Sequence, residues 1–140
     1  MDFLKNLCRA LRRPALREIT SCERITLRIS GMRSTTEYVV TGGEPAALSL
    51  YRISYAGDKE VRTLEKSAAL RVAQLPGLLD SCGVARWDGF HGAHPKHVSD
   101  GEMFTFTAVV NGGVTIRADG SANFPRGYHE FVRALCDMLQ

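Results

Sequence analysis

Three of the chain's four histidines fall within seven residues: His91, His94 and His97, at H-x2-H-x2-H spacing. Asp88, Asp100 and Glu102 flank them. Imidazole is the commonest transition-metal ligand, and three with a carboxylate or a water fill a zinc sphere. The opposing reading is geometric. Gly89, Gly92 and Pro95 make the segment turn-rich, and a flexible loop gives up ordering entropy before it binds. The spacing also differs from the i, i+4 pair of helical zinc ligands. The same histidines therefore read either as a metal or small-molecule site or as exposed loop residues.

Other chemistry is thinner. Asp88 or Asp100 with a loop histidine could form an acid–base pair. Carboxylates before glycine, at Asp88-Gly89, Asp100-Gly101 and Asp119-Gly120, read more simply as turns. Trp87 and Phe90 straddle Asp88-Gly89. With Asp88 they form a candidate ligand or partner surface, or else they plug the sheet edge over a helix layer. No G-x-S-x-G is present, and no cysteine sits in an evident activating context, so nucleophilic catalysis has no sequence support. Gly112-Gly113 reads as a hairpin turn and Gly42-Gly43 lacks a following Lys-Ser/Thr, which excludes a P-loop or a Rossmann site. No cofactor is expected.

The elements that would position these residues follow from periodicity. Residues 2–12 read as an amphipathic helix, with Phe3, Leu4, Leu7, Cys8 and Leu11 on one face, ended or kinked at Pro14. Residues 23–30 alternate, with Ile25, Leu27 and Ile29 opposite Arg24, Thr26 and Arg28, as a half-buried strand does. Strands are predicted over 35–41, 47–56 and 60–66, joined by short links as a meander. A helix is predicted over 67–82, capped by Ser67, perturbed at Pro76 and closed by Gly83. Residues 84–87 read as a short strand, and 102–110 as a strong one. Asn111-Gly112 is the best hairpin signal, returning as a strand over 114–118. The final helix begins near Pro125, capped by Ser121 or Asn123, and carries a stripe of Tyr128, Phe131, Val132, Leu135, Met138 and Leu139. The fold class is α+β: an antiparallel sheet of six to seven strands in two meanders, with N-terminal, central and C-terminal helices on one face.

The 140 residues, 44% hydrophobic and 24% charged, fit one globular domain over 1–140. Cys8, Cys22, Cys82 and Cys136 form no C-x-x-C and read as free thiols of a reducing compartment, Cys82 and Cys136 as core. No stretch approaches the ~20 apolar residues of a membrane span. Residues 1–12 do not read as a signal peptide, because Asp2 stands where positive charge is wanted and Arg9 interrupts the apolar run. A cytoplasmic location is expected. The net charge is +3, concentrated in residues 1–33, where eight basic side chains meet three acidic ones. That end could bind nucleic acid or an anionic surface, but the interleaved aromatics of a nucleic-acid face are missing.

Trp87-Asp88-Gly89-Phe90, then Asp100-Gly101 before an aromatic strand, then Gly120-Ser121-Ala122-Asn123-Phe124-Pro125 leading into Tyr128 and Phe131, is similar to a family of uncharacterised bacterial proteins. The resemblance covers residues 84–135. It implies a folding unit and carries no activity, cofactor or catalytic residue. Function therefore reads first as a small non-enzymatic interaction or accessory protein, self-associating or docking through Phe3, Leu4 and Leu7. The alternative is small-molecule or transition-metal binding, with an enzymatic role open, in the 87–102 loop. Weak nucleic-acid or anionic-surface binding by the basic third comes after both.

Overall fold

Alternation builds the central strand. In β1, Cys22–Ser30, the side chains of Ile25 and Leu27 are buried while Arg24 and Arg28 face away from them. β2, Thr35–Thr41, runs antiparallel to it, with Leu27 opposite Tyr38 and Ile25 opposite Val40. β3, Ala46–Ala56, sets Leu48 opposite Val40 and Leu50 opposite Tyr38. A Gly57-Asp58 turn leads into β4, Lys59–Leu70. The structure, a computed structural model, describes residues 18–99 and 101–140. The expected N-terminal helix, with Phe3, Leu4 and Leu7, and the carboxylate Asp100 lie outside the described residues.

On the far side of β1 stands β6, Met103–Val110. Its hairpin partner is β7, Val114–Ser121, and a two-residue strand β5, His91–Gly92, pairs parallel with β7. The seven strands lie in the order β4-β3-β2-β1-β6-β7-β5, antiparallel except for β5. The fold is a single α+β domain. Its two described α-helices are α1, Gln74–Ser81, and α2, Tyr128–Met138. No described helix is long and apolar enough to cross a membrane.

Leu75 and Leu79 of α1 and Tyr128, Phe131 and Leu135 of α2 share one core with the inward residues of β1, β2, β3, β6 and β7. Trp87, on a short 3-10 turn over Val84–Trp87, stands at its centre. Its ring meets Phe106 edge-on at 4.9 Å and Phe131 at 5.5 Å. Phe104, Phe124 and Tyr128 continue the stack.

Several elements differ from their sequence reading. β4 runs on to Leu70, paired residue by residue with Ala46–Ser49, so Ser67 is strand and the helix starts at Gln74. A cross-strand ladder outweighs the weak helical preference of Ser67–Ala69. Pro76 sits in the first turn of α1, where its missing N–H has no intrahelical partner to lose. Residues 84–87 form the 3-10 turn rather than a strand. Asp119-Gly120 is strand, not turn, because β7 extends to Ser121. Neither Ser121 nor Asn123 caps α2. Its N-cap is Gly127, with φ of 89° and no side-chain cap, while Asn123 donates its amide to the Ala93 carbonyl. Cys136 is exposed, with its sulfur 3.3 Å from the Tyr38 hydroxyl.

The sheet face turned away from the helices carries a row of side chains across all seven strands: Leu64, Tyr51, Glu37, Arg28, Thr105, Asp119 and His91. At one end the β3–β4 hairpin arches over this face. Glu60 of β4 reaches Arg28 of β1, three strands away in the sheet, at 2.8 Å. Arg28 also donates from Nε to Glu37 at 2.9 Å. Arg62 pairs with the other oxygen of Glu37 and lies over the Tyr51 ring, 4.4 Å from its centroid. The closure buries Glu37, Val39 and Ile53 on what would otherwise be an open face. The Arg28 hydrogen bond holds the Glu60 carboxyl below the usual glutamate range, and the same bond leads the rise at Arg28.

Candidate functional site

The other end of that face is a cleft of about 480 Å3. Arg28 and Ser30 of β1, Met103 and Thr105 of β6, and Asp119 and Ser121 of β7 form its floor, and the 91–94 segment forms one wall. Two-residue periodicity puts Asp119 and Ser121 side by side on the same face of β7. Gly120 between them points toward the core. A Cβ there would lie 2.1 Å from the Asn123 carbonyl oxygen and 2.7 Å from the Phe104 ring. A Cβ at Gly92 would lie 2.4 Å from that same Asn123 oxygen. The Asn123 backbone therefore passes so close to β5 and β7 that only glycine fits at either position, and this contact fixes the histidine segment against the strand.

Each of the two β7 side chains holds one histidine. His91 Nδ1 hydrogen-bonds to the Asp119 carboxylate. A carboxylate only accepts, so Nδ1 carries the proton. In the neutral ring this leaves Nε2 with its lone pair as an acceptor. His94 is held at both nitrogens. Its Nε2 contacts the Val98 carbonyl oxygen, which again only accepts, so Nε2 carries the proton. The neutral ring must then accept at Nδ1, and the Ser121 hydroxyl donates to it across 2.8 Å.

The sequence candidates separate here. His91 and His94 line the cleft, whereas His97, in a left-handed turn with φ of 71°, does not. Among the described residues no three His, Cys, Asp or Glu side chains come together as a metal site would need. The H-x2-H-x2-H spacing fails because β5 commits His91 to the strand while His94 turns to Ser121. Asp88 accepts the Arg117 backbone N–H at 3.0 Å, and Gly89, with φ of 82°, completes that turn. Trp87 is 1% exposed, and its Nε1 donates to the Arg126 carbonyl at 2.9 Å. It belongs to the core and not to a partner surface, because the 3-10 turn aims the indole under the sheet. Phe90 is half-buried and stacks toward Phe104 at 6.4 Å.

Arg28, Asp119 and Ser121 are the cleft residues the sequence reading passed over. The signal for the last two was the D-x-S alternation at the end of a strand, hidden by Asp-Gly. Arg28 belongs to the basic third of the chain, but its guanidinium is committed to Glu37 and Glu60 and gives little free charge to a polyanion. No protein-family model matches this chain, and no curated protein matches it.

Proposed function

We propose that this protein binds a small organic molecule in the cleft between the 91–94 segment and the open face of β1, β6 and β7. One observation carries this reading: neighbouring side chains of β7, Asp119 and Ser121, each orient a histidine of the cleft wall. Oriented donors and acceptors converging on a cleft beside an exposed apolar side chain are what a ligand site needs. Met103, 57% exposed, supplies apolar surface, and His91 Nε2, which Asp119 does not engage, supplies an acceptor. The ligand class is a molecule with an apolar body and a hydroxyl or amine that donates to His91. The thiols of Cys22 and Cys82 are buried and free, which favours a reducing, cytoplasmic location.

A fragment library screened by amide chemical shifts tests the reading. Donor-bearing fragments are expected to move Gly92, Thr105 and Gly120 together. His91→Ala should weaken those fragments by about 3–10-fold, the worth of one hydrogen bond. If no fragment at millimolar concentration perturbs these amides, the cleft is not a binding site.

A non-enzymatic interaction domain is the second reading, and its support lies at the opposite edge of the sheet. β4 is an outermost strand of 12 residues, exposed over most of its length. Tyr55, Val61 and Leu64 are exposed at 64%, 40% and 54% on this hairpin. An edge of this kind templates pairing with another extended strand, although Lys59, Arg62, Lys66 and the ladder irregularity at Leu50/Tyr51 oppose it. Self-pairing through β4 predicts a dimer by sedimentation that Val61→Lys and Leu64→Lys together return to monomer. A wild-type monomer at every concentration removes this route to self-association.

A further inference from the structure

Resting on the ligand-binding reading of the same cleft, we propose that Ser121 is a nucleophile, activated by His94, that takes an acyl group from small activated esters. The arrangement has the three parts that make a serine reactive: a hydroxyl, a base within hydrogen-bond reach, and a group orienting the base. The Ser121 hydroxyl donates to His94 Nδ1 at 2.8 Å. The Val98 carbonyl engages His94 Nε2 and so imposes the tautomer in which Nδ1 is the free base. A backbone carbonyl here fills the orienting role that a carboxylate fills in a Ser-His-Asp triad. Ser121 is also the last residue of β7, and Ala122 follows it at a positive φ of 49°. That sharp turn, sparsely populated for a residue with a Cβ, ends the strand at the rim of the cleft that Ser121 lines.

The step balances without a further reactant except water. Ser121 Oγ attacks the carbonyl carbon as its proton passes to His94 Nδ1, and the Val98 oxygen stabilises the imidazolium through Nε2–H. The bond to the leaving oxygen then breaks, and Nδ1–H protonates that oxygen as it departs. Water adds to the acyl-serine as Nδ1 takes its proton; the acyl–Oγ bond then breaks, Nδ1–H returns that proton to Ser121 Oγ, and the carboxylic acid leaves. Arg28 on the opposite side of the cleft is engaged by Glu37 and Glu60. Charge on the tetrahedral oxygen is therefore weakly supported, which restricts the substrate class to esters with good leaving groups. The cleft volume of about 480 Å3 limits them to small acids and alcohols.

An alkyl fluorophosphonate reports on such a serine directly, because the Oγ–P bond forms as P–F breaks and fluoride leaves. The full chain is expected to gain one adduct by intact mass, mapped to Ser121 by peptide analysis. Ser121→Ala should abolish it. His94→Ala should slow labelling by about 100-fold or more, as loss of a general base does. His97→Ala, outside the cleft, should label at the wild-type rate. No adduct, an adduct at another residue, or an unchanged rate in His94→Ala overturns the proposal. Wild-type peptide mapping keeps the test decisive even if a variant misfolds. Fragments that shift Gly92 and Gly120 while Ser121 stays unlabelled would remove the nucleophile and leave the binding site. Silence in both experiments would remove both.

Discussion

Trp87→Ala is expected to destabilise the protein by about 3–5 kcal/mol, a large part of the ~5–15 kcal/mol that separates folded from unfolded in domains of this kind. Two effects add. The indole fills the space between Phe106 at 4.9 Å and Phe131 at 5.5 Å, so its removal leaves a cavity that a strand and a helix on opposite sides cannot both close. Its Nε1–H also satisfies the Arg126 carbonyl at the approach to α2. Trp87→Phe separates the two contributions: it keeps an aromatic ring and loses the hydrogen bond, at about 1–3 kcal/mol. Urea unfolding followed by circular dichroism is the measurement, since Trp87 is the only tryptophan and the variants lose its fluorescence. A midpoint for Trp87→Ala that matches an exposed-site substitution would refute the central place given to this ring.

The features legible in the sequence are those a local period decides. Ile25, Leu27 and Ile29 mark a strand because every second residue of β1 meets the helices. Asn111 and Gly112 mark the β6–β7 hairpin because both adopt positive φ, at 52° and 77°, the backbone a two-stranded right-handed twist requires. Tyr128, Phe131 and Leu135 mark α2 because one helical stripe packs on one sheet. Ser67–Leu70 were misleading because nothing local forbids a helix there, and the partner strand that makes them β lies some twenty residues back in the chain.

The site was less legible, for a different reason. A two-residue strand has no period, so the parallel pairing of His91 and Gly92 with Asp119 and Gly120 leaves no pattern to find. Asp119-Gly120 has the composition of a turn. What makes it strand is pairing with Thr105 and Phe104 of β6 on one side and with His91 and Gly92, some thirty residues back, on the other. The histidine spacing suggested a shared metal, yet Asp119 and Ser121 of β7 hold His91 and His94 separately, and His97 lies outside the cleft. Trp87 reads from sequence either as a partner surface or as a plug over the helix layer, and the 3-10 geometry, which turns the indole inward, decides between them.

Glu37→Gln is expected to cost about 3 kcal/mol, the low end of what breaking a buried ion pair costs. Glu37 is 6% exposed and accepts from Arg28 on one oxygen and Arg62 on the other. The amide keeps the shape but leaves two guanidinium groups facing each other with less charge to balance them. Arg62→Ala should cost much less, near the value of a surface pair, because the Arg62 side chain is 40% exposed and Glu37 keeps Arg28. The urea midpoints of Glu37→Gln, Arg28→Ala and the double variant give the coupling directly. If Glu37→Gln is as stable as wild type, the arginines do not hold the arch. Acid acts on the same lock through Glu60. Its folded pKa lies below the ordinary value, so its contribution is complete above the ordinary glutamate range and fades as the pH falls through the lowered one. The consequence reaches the cleft, because Arg28 is both the centre of this lock and part of the cleft floor. Freed from Glu37, its guanidinium has donors to spare for a ligand, so Glu37→Gln should bind carboxylate fragments more tightly while unfolding more easily. Stability and ligand charge preference would then move in opposite directions on one substitution, which independent surfaces at the two ends of the sheet would not produce.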